Sequence, residues 1–175
     1  MKLKQGLIQV YTGNGKGKTT AALGLALRAV GHGLRVYIIQ FMKGWPHYGE
    51  LVSLQHLPNV TLRQFGRPDF VNRAHPDPED IRLADEALQQ ARQVLVSGNY
   101  DVVILDEVNV ALDYGLIGLD DLLSLLEAKP EHVELVLTGR GAHPQIIQRA
   151  DLVTEMLAIK HPYDAGTLGR RGIEY

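Results

Sequence analysis

Apolar and polar residues alternate along this chain in two different patterns. Short, nearly continuous apolar runs predict strands at residues 6–12, 34–41, 59–65, 100–107 and 133–140. Segments with apolar residues three or four positions apart predict helices at residues 19–30, 48–56, 119–130 and 144–149. This alternation predicts an α/β protein with a mostly parallel sheet, right-handed crossovers and helices on both faces.

A further helix is predicted to begin at Pro78. Asp77 is a typical N-cap, proline suits the first helical position, and Gly98 marks the end. The pattern predicts one buried stripe, formed by Ile81, Ala84, Leu88, Ala91 and Leu95. The preceding residues, 66–78, have no usable periodicity and predict a long loop, a kind of segment that is often functional.

Three polar segments follow predicted strands directly. They are a glycine-rich loop after the first strand, Asp106 and Glu107 after the strand YDVVILDE, and the sequence TGR ending at Arg140. In open parallel sheets, ligands bind beyond the carboxyl ends of the strands. We therefore expect the functional site at that edge of the sheet.

The glycine-rich segment, YTGNGKGKTTAALG, nearly fits the phosphate-binding pattern G-x-x-x-x-G-K-[ST]. Gly17, Lys18 and Thr19 match the end of the pattern. Thr12 stands at its leading position, and the glycine comes one residue late, as Gly13. The sequence therefore predicts a phosphate-binding loop with a shifted first glycine.

Such loops bind phosphate through inward-pointing backbone N–H groups, assisted by the partial positive charge of a helix start. In this pattern Lys18 neutralises phosphate oxygens and the Thr19 hydroxyl binds Mg²⁺. Lys16 is a second cation for the phosphates, or alternatively a solvated charge. The alternative for the whole segment is a glycine-rich turn without a ligand.

Asp106 and Glu107 end an apolar strand at the position where phosphate-loop proteins hold their metal. Mg²⁺ prefers oxygen ligands and keeps several waters. These two carboxylates are therefore predicted metal ligands. The alternative is an acidic cap at a strand end.

Composition narrows the class of protein. The 175 residues predict a single domain, residues 1–175, and the net charge of -2 with mixed signs argues against nucleic-acid binding. The absence of cysteine excludes disulfides and thiolate chemistry. The sequence contains neither a signal peptide nor an apolar stretch long enough to span a membrane, so we expect a cytoplasmic protein.

Five segments together resemble one family closely, the ATP:corrinoid adenosyltransferases of the P-loop type, also described as cob(I)yrinic acid a,c-diamide adenosyltransferases. The segments are TGNGKGKTTAALGLALRAVGHG, IQFMKG, VILDE, LTGRGAHP and IKHPYDAGTLGRRGIEY. They extend the resemblance over residues 6–175. The first and the last of them are the most specific.

The resemblance implies a P-loop NTPase-like (RecA-like) fold that binds ATP in the reverse sense to ordinary members. Cobalt(I) of a corrinoid attacks the ribose C5′ and inorganic triphosphate leaves. The implied ATP-binding residues are Gly13, Asn14, Gly15, Lys16, Gly17, Lys18, Thr19 and Thr20. Lys18 and Thr19 are expected to be catalytic, and Mg²⁺ is expected near Thr19 and Glu107, with Asp106 beside them. The resemblance also implies a reduced flavin or flavoprotein as electron donor and a homodimer.

The sequence departs from the family where the corrinoid is expected. Some members carry an N-terminal extension and an aromatic stretch of the type GFTW; here the first strand begins almost at once and the stretch reads FGRPDFVNRAHPDP. Phe70 is the candidate to contact the macrocycle, with Arg67 and Arg73 near its amide side chains. The alternative is a mobile surface loop, and Trp45 is a rival aromatic residue.

The roles of three polar residues stay open. His75 and His161 are candidate cobalt ligands, although a histidine beside proline is more often a hydrogen-bonding residue. Arg140 either senses phosphate or forms a surface salt bridge. Two rival functions also remain, an ordinary P-loop hydrolase or kinase that releases ADP, and a non-catalytic corrinoid or nucleotide carrier.

Overall fold

A six-stranded parallel sheet organises residues 3–175, the part of the chain that the computed structural model describes. The strands are β1 (Ile8–Thr12), β2 (Val36–Phe41), β3 (Val60–Phe65), β4 (Val102–Asp106), β5 (Glu134–Thr138) and β6 (Leu152–Glu155). Their order across the sheet is β3-β2-β4-β5-β1-β6, and every neighbouring pair is parallel. The predicted parallel sheet is confirmed, and all strands end at one edge.

Within residues 3–175, six helices connect or follow these strands. They are α1 (Lys18–Gly31), α2 (Gly49–Ser53), α3 (Pro78–Val96), α4 (Val108–Asp113), α5 (Leu119–Glu127) and α6 (Pro144–Arg149). Short 3-10 turns cover Leu54–His56 and Pro162–Ala165. None of the helices within residues 3–175 has the length and apolar character needed to cross a bilayer.

The core has two parts, one on each face of the sheet. On one face, the alanines of α1 pack against β2, β4 and β5; on the other, α3, α4, α5 and α6 cover the sheet. All five residues of β4 are buried, as a strand covered on both faces requires. Helices on both faces, as the sequence predicts, are therefore confirmed.

The start of α3 corrects one detail of the predicted stripe. Asp77 caps the helix by accepting the Glu79 N–H at 2.9 Å, as predicted. Ile81, however, is 43% exposed, and Asp80 lies buried instead. The reason is an ion pair: Arg67 donates to both carboxylate oxygens of Asp80, at 2.9 and 2.8 Å. Because this pair compensates the charge of the carboxylate, the acid can lie buried while Ile81 stays partly exposed.

Candidate functional site

An open cavity of about 1060 Å³ lies at the carboxyl edge of the sheet. The loop after β1 and the start of α1 form its floor. The segments after β2, β4 and β5 add charged side chains, and the last residues of the chain form another wall; these lining residues include Lys43, Glu50, Glu107, Tyr114, Arg140, His161, Glu174 and Tyr175. Three of the segments that the sequence places at this edge thus share one cavity.

The shifted glycine of the loop has a structural reason. Thr12 still belongs to β1, and its side-chain oxygen accepts the Ala142 N–H at 3.2 Å, so this position needs no glycine. The left-handed turn comes one residue later, at Gly13, with φ 94°. A Cβ on Gly13 would lie 2.4 Å from the carbonyl oxygen of Met156, which excludes any larger residue.

The rest of the loop closes against the segment after β6. The Gly15 N–H donates to the Met156 carbonyl at 2.6 Å, and a Cβ on Gly15 would come within 2.6 Å of that oxygen. Gly17 is left-handed at φ 113° and precedes α1, whose first turn contains no acidic residue and receives no side-chain cap from Gly17. The start of α1 therefore presents N–H groups and positive partial charge to the cavity.

Lys18 is buried within the loop. Its ammonium donates to the carbonyls of Gly13 and Gly15, at 2.9 and 2.7 Å. Burial lowers the pKa of Lys18 from its usual range, Glu107 and Asp106 oppose that effect, and Arg140 adds to it. An ammonium has three donors, so two close the loop and one remains for an anion in the cavity.

Six of the eight predicted ATP residues, from Gly15 to Thr20, line the cavity. Asn14 is exposed. Gly13 is not among the lining residues, and its carbonyl accepts a hydrogen bond from the Lys18 ammonium. The Lys16 ammonium turns toward the end of the chain, 3.2 Å from the Ile173 carbonyl and 3.4 Å from the Glu174 carboxylate. Lys16 is therefore paired with the C-terminal segment, although nearly half of its side chain is exposed.

Asp106 is the centre of a buried polar cluster and is only 1% exposed. Four side chains donate to its carboxylate: Thr19 at 2.8 Å, Thr138 at 2.7 Å, Lys43 at 2.7 Å and Gln40 at 3.2 Å. These donors come from α1, from β5, from the segment after β2 and from β2 itself. Asp106 thus ties the phosphate-type loop to the central strands.

Glu107 has a strained backbone and a charged setting. Its φ of 65° is left-handed, which is uncommon for a residue other than glycine and is found preferentially at functional sites. Its N–H donates to the Thr138 hydroxyl at 2.9 Å, and its side chain lines the cavity. Burial, followed by the charge of Asp106, raises the pKa of Glu107 above its usual range, while Lys43, Lys18 and Arg140 lower it.

Replacing Glu107 with glutamine should stabilise the ligand-free protein increasingly as pH rises. A carboxyl whose pKa is raised by folding costs stability as pH increases from its unfolded value, near 4.5, through its folded value. Glutamine has no such cost. Urea unfolding of both proteins between pH 4 and pH 8, without nucleotide or metal, measures the difference; a constant difference across the series would contradict the raised pKa.

Sequence reasoning missed part of the site. Lys43 belongs to the segment IQFMKG and follows β2, so the rule that ligands bind at strand ends was a signal for it. Gln40, inside β2, bonds Gln64 at 2.9 Å and Glu50 at 3.2 Å and extends the cluster. Thr138 is buried at the end of β5. No local pattern marks Gln40, whereas Thr138 is the first residue of the segment TGR, which the sequence already places at this edge.

The candidate corrinoid residues have different surroundings. The Phe70 side chain is fully exposed, and neither Phe70 nor Trp45 lines the cavity. Trp45 packs edge-on against Tyr175 and Tyr48, which do line it, with ring centroids at 5.1 and 5.3 Å. Arg73 pairs with Asp113 at 3.2 Å. The corrinoid roles of Phe70 and its neighbours therefore stay predictions.

The open histidines and Arg140 take different places. His161 lines the cavity and accepts the Tyr163 N–H through Nδ1 at 3.1 Å, and His75 is exposed. Arg140 lines the cavity. Among residues 3–175, no three His, Asp or Glu side chains cluster as a metal site.

Comparison with known proteins shows which family this chain resembles. The family described as ATP:corrinoid adenosyltransferase BtuR/CobO/CobP matches residues 4–175. A corrinoid adenosyltransferase from Pseudomonas aeruginosa is 37% identical over 172 residues, covering 98% of this chain and 85% of the relative. One from Escherichia coli strain K12 is 39% identical over 173 residues, covering 98% of this chain and 87% of the relative.

A solved structure supports the fold alone. The RadB recombinase superposes with a TM-score of 0.54 at 14% identity, covering 90% of this chain and 77% of that one. The predicted P-loop NTPase-like, RecA-like fold is thereby confirmed. The nearly full-length match to both relatives goes further than the fold, and this chain belongs to the ATP:corrinoid adenosyltransferase family.

Proposed function

We propose that this protein transfers the 5′-deoxyadenosyl group of ATP to the cobalt(I) of a corrinoid and releases inorganic triphosphate, in the biosynthesis or salvage of an adenosylated corrinoid. The observation that carries the proposal is the buried Lys18 at the floor of the cavity, inside a glycine loop adapted to phosphate, in a chain of this family. The two relatives carry the corresponding name.

The chemistry is a displacement at a carbon atom. The cobalt(I) electron pair forms the cobalt–carbon bond to C5′, the bond between C5′ and its oxygen breaks, and the triphosphate keeps that electron pair. Negative charge therefore gathers on the triphosphate as the bond breaks. Lys18, the inward N–H groups and Arg140 at the cavity wall are placed to stabilise it, and preorganised charges of this kind are often the largest single contribution to catalysis.

The donor set at the loop suits Mg²⁺. Thr19 donates its hydroxyl proton to Asp106 at 2.8 Å, which leaves oxygen lone pairs for a cation, and Glu107 supplies a carboxylate in the same cavity. Mg²⁺ is commonly held by one or two protein oxygens together with substrate phosphates and water. When bound, the ion would neutralise part of the triphosphate charge. Thr19 and Glu107 are its proposed ligands, with Asp106 beside them.

The electron donor and the assembly are supported by the family resemblance alone. Cobalt(I) must be generated by reduction, and the resemblance implies a reduced flavin or flavoprotein for that step. It also implies a homodimer. Both are part of the proposal.

The deciding experiment is incubation with ATP, Mg²⁺ and chemically reduced cobalamin. We expect the spectrum of the adenosylated product to develop together with an equal amount of inorganic triphosphate. ADP and phosphate in its place would identify a hydrolase or kinase. Binding of ATP or corrinoid without turnover under these reducing conditions would identify a carrier.

For the corrinoid side, we propose that Phe70 contacts the macrocycle. Its full exposure means that Phe70→Ala should leave folding stability and ATP affinity unchanged. Covering part of the ring with ligand is worth about 1.5 kcal/mol, so corrinoid affinity should fall about tenfold. Binding titrations with ATP and with cobalamin measure the two affinities separately.

Trp45→Ala is the matched comparison, because Trp45 is an aromatic residue that packs on Tyr175, one of the residues that line the cavity. If only Trp45→Ala weakens corrinoid binding, Phe70 is the wrong residue. If neither does, the macrocycle contacts other residues.

A further inference from the structure

The buried Asp106 carboxylate has no free position for a metal. A carboxylate offers about four lone-pair sites. Thr19 and Thr138 donate to Oδ1 of Asp106, at 2.8 and 2.7 Å. Gln40 and Lys43 donate to Oδ2, at 3.2 and 2.7 Å. For a cation beside Thr19, the acceptor positions of Asp106 are therefore already occupied by four hydrogen-bond donors.

Lys43 is the charged member of this set of donors, since the other three are neutral hydroxyl and amide groups. Its ammonium balances the carboxylate charge in a place where only 14% of the Lys43 side chain and 1% of the Asp106 side chain are exposed. A divalent cation near Thr19 and Asp106 would compete with Lys43 for the same negative charge. It would also repel the ammonium, because like charges interact strongly where water is excluded.

The cavity gives the displaced ammonium another place to bind. Lys43 lines the same cavity as Lys18 and Arg140, and it lies 5.4 Å from the ring centroid of Tyr48. The contact with Asp106 uses one of its three donors. A triphosphate in this cavity presents anionic oxygens to the ammonium at the moment when the metal takes over Asp106.

We propose that Lys43 is a resident counter-ion of Asp106. It occupies the carboxylate while no metal is bound, and it moves to a phosphate oxygen when metal and nucleotide enter together. Lys43 thereby couples metal binding to nucleotide binding, so that the site does not load with a bare cation. This inference rests on the proposed function, because it takes a metal–triphosphate complex as the ligand.

The proposal predicts opposite changes in two affinities when the charge of Lys43 is removed. In Lys43→Gln, which keeps an N–H donor toward Asp106, Mn²⁺ should bind the nucleotide-free protein about tenfold more tightly, the scale on which partners of metal ligands change affinity. ATP measured in excess Mg²⁺ should bind Lys43→Gln about tenfold more weakly than wild type, because the charged hydrogen bond that Lys43 makes to phosphate in the metal-bound site is lost.

The probes are Mn²⁺ alone, followed by the electron paramagnetic resonance signal of the free ion, and ATP in excess Mg²⁺, followed by calorimetry. Lys43→Arg keeps the charge and should bind Mn²⁺ as wild type does. Lys43→Gln combined with Asp106→Asn should lose the gain in Mn²⁺ affinity. Lys43→Met repeats the measurement if Lys43→Gln does not fold.

A purely structural ion pair would give a different result. Its loss would loosen the edge of the sheet and weaken both affinities together. Unchanged or weaker Mn²⁺ binding in the neutral variants would therefore overturn the proposal.

The inference and the proposed function can fail separately. If the wild type forms no adenosylated product, the proposed function is wrong, but the Mn²⁺ measurement still tests the role of Lys43. If the wild type forms the product but Lys43→Gln shows no gain in Mn²⁺ affinity, only the inference on Lys43 is wrong.

Discussion

Replacing Lys18 with alanine is expected to lower adenosyl transfer about a hundredfold or more, the scale for loss of one preorganised charge-stabilising group. Lys18 lines the cavity, and two of the three donors of its ammonium hold the carbonyls of Gly13 and Gly15. The variant thus loses a cation for the leaving triphosphate and also the group that closes the loop. The loss should fall mainly on kcat, because the charge on the triphosphate is greatest in the transition state.

Lys16→Ala is the control for this measurement. It removes the same charge from the same loop, but Lys16 is half exposed and pairs with Glu174. We expect its effect on kcat to be about tenfold or less, as for a solvent-screened charge. Circular dichroism and unfolding curves would establish that both variants fold. Activity of Lys18→Ala within a fewfold of wild type would contradict the assignment of the phosphate loop.

The backbone of the site was predictable because its signals are local. A continuous apolar run in YDVVILDE predicts the buried strand β4, and a glycine loop between strand and helix predicts the turn before α1. Parallel strands end at one edge, so the loop and Asp106 had to come together. The helix α4, in contrast, has only six residues and follows Glu107 directly, which is too short for a periodic pattern.

The polar partners were not predictable, because they join distant parts of the chain. Lys43 meets Asp106 across 63 positions, and Lys16 meets the Ile173 carbonyl across 157. The error at Ile81 has the same origin. Asp80 can occupy the buried stripe only because Arg67, 13 positions earlier, neutralises it. A hydrophobic pattern contains no information about such a partner.

The shifted glycine of the phosphate loop was predictable only in part. The displacement from position 12 to Gly13 is visible in the sequence. Its cause is not, because the Thr12 hydroxyl contact with Ala142 and the approach of Met156 to Gly13 both come from segments late in the chain. The local sequence therefore predicts the loop, while the tertiary structure explains its register.

Asp106→Asn is expected to lower activity by about ten- to a hundredfold and to raise the Mg²⁺ concentration needed for it, as for groups that orient metal ligands. The asparagine carbonyl can keep the hydrogen bonds from Thr19 and Thr138, which share Oδ1. Its amide then faces Lys43 and Gln40, which are donors themselves. Two opposed donors repel, so this variant should also be less stable than wild type.

Glu107→Gln separates the metal effect from the stability effect. It too should raise the Mg²⁺ requirement, because a hard cation prefers an ionised oxygen ligand. Its stability, however, should increase at neutral pH, since folding raises the pKa of this carboxyl. Mg²⁺ titrations of activity at saturating ATP, together with urea unfolding, give two readouts for each variant. Wild-type Mg²⁺ titrations in both variants would place the metal away from the end of β4.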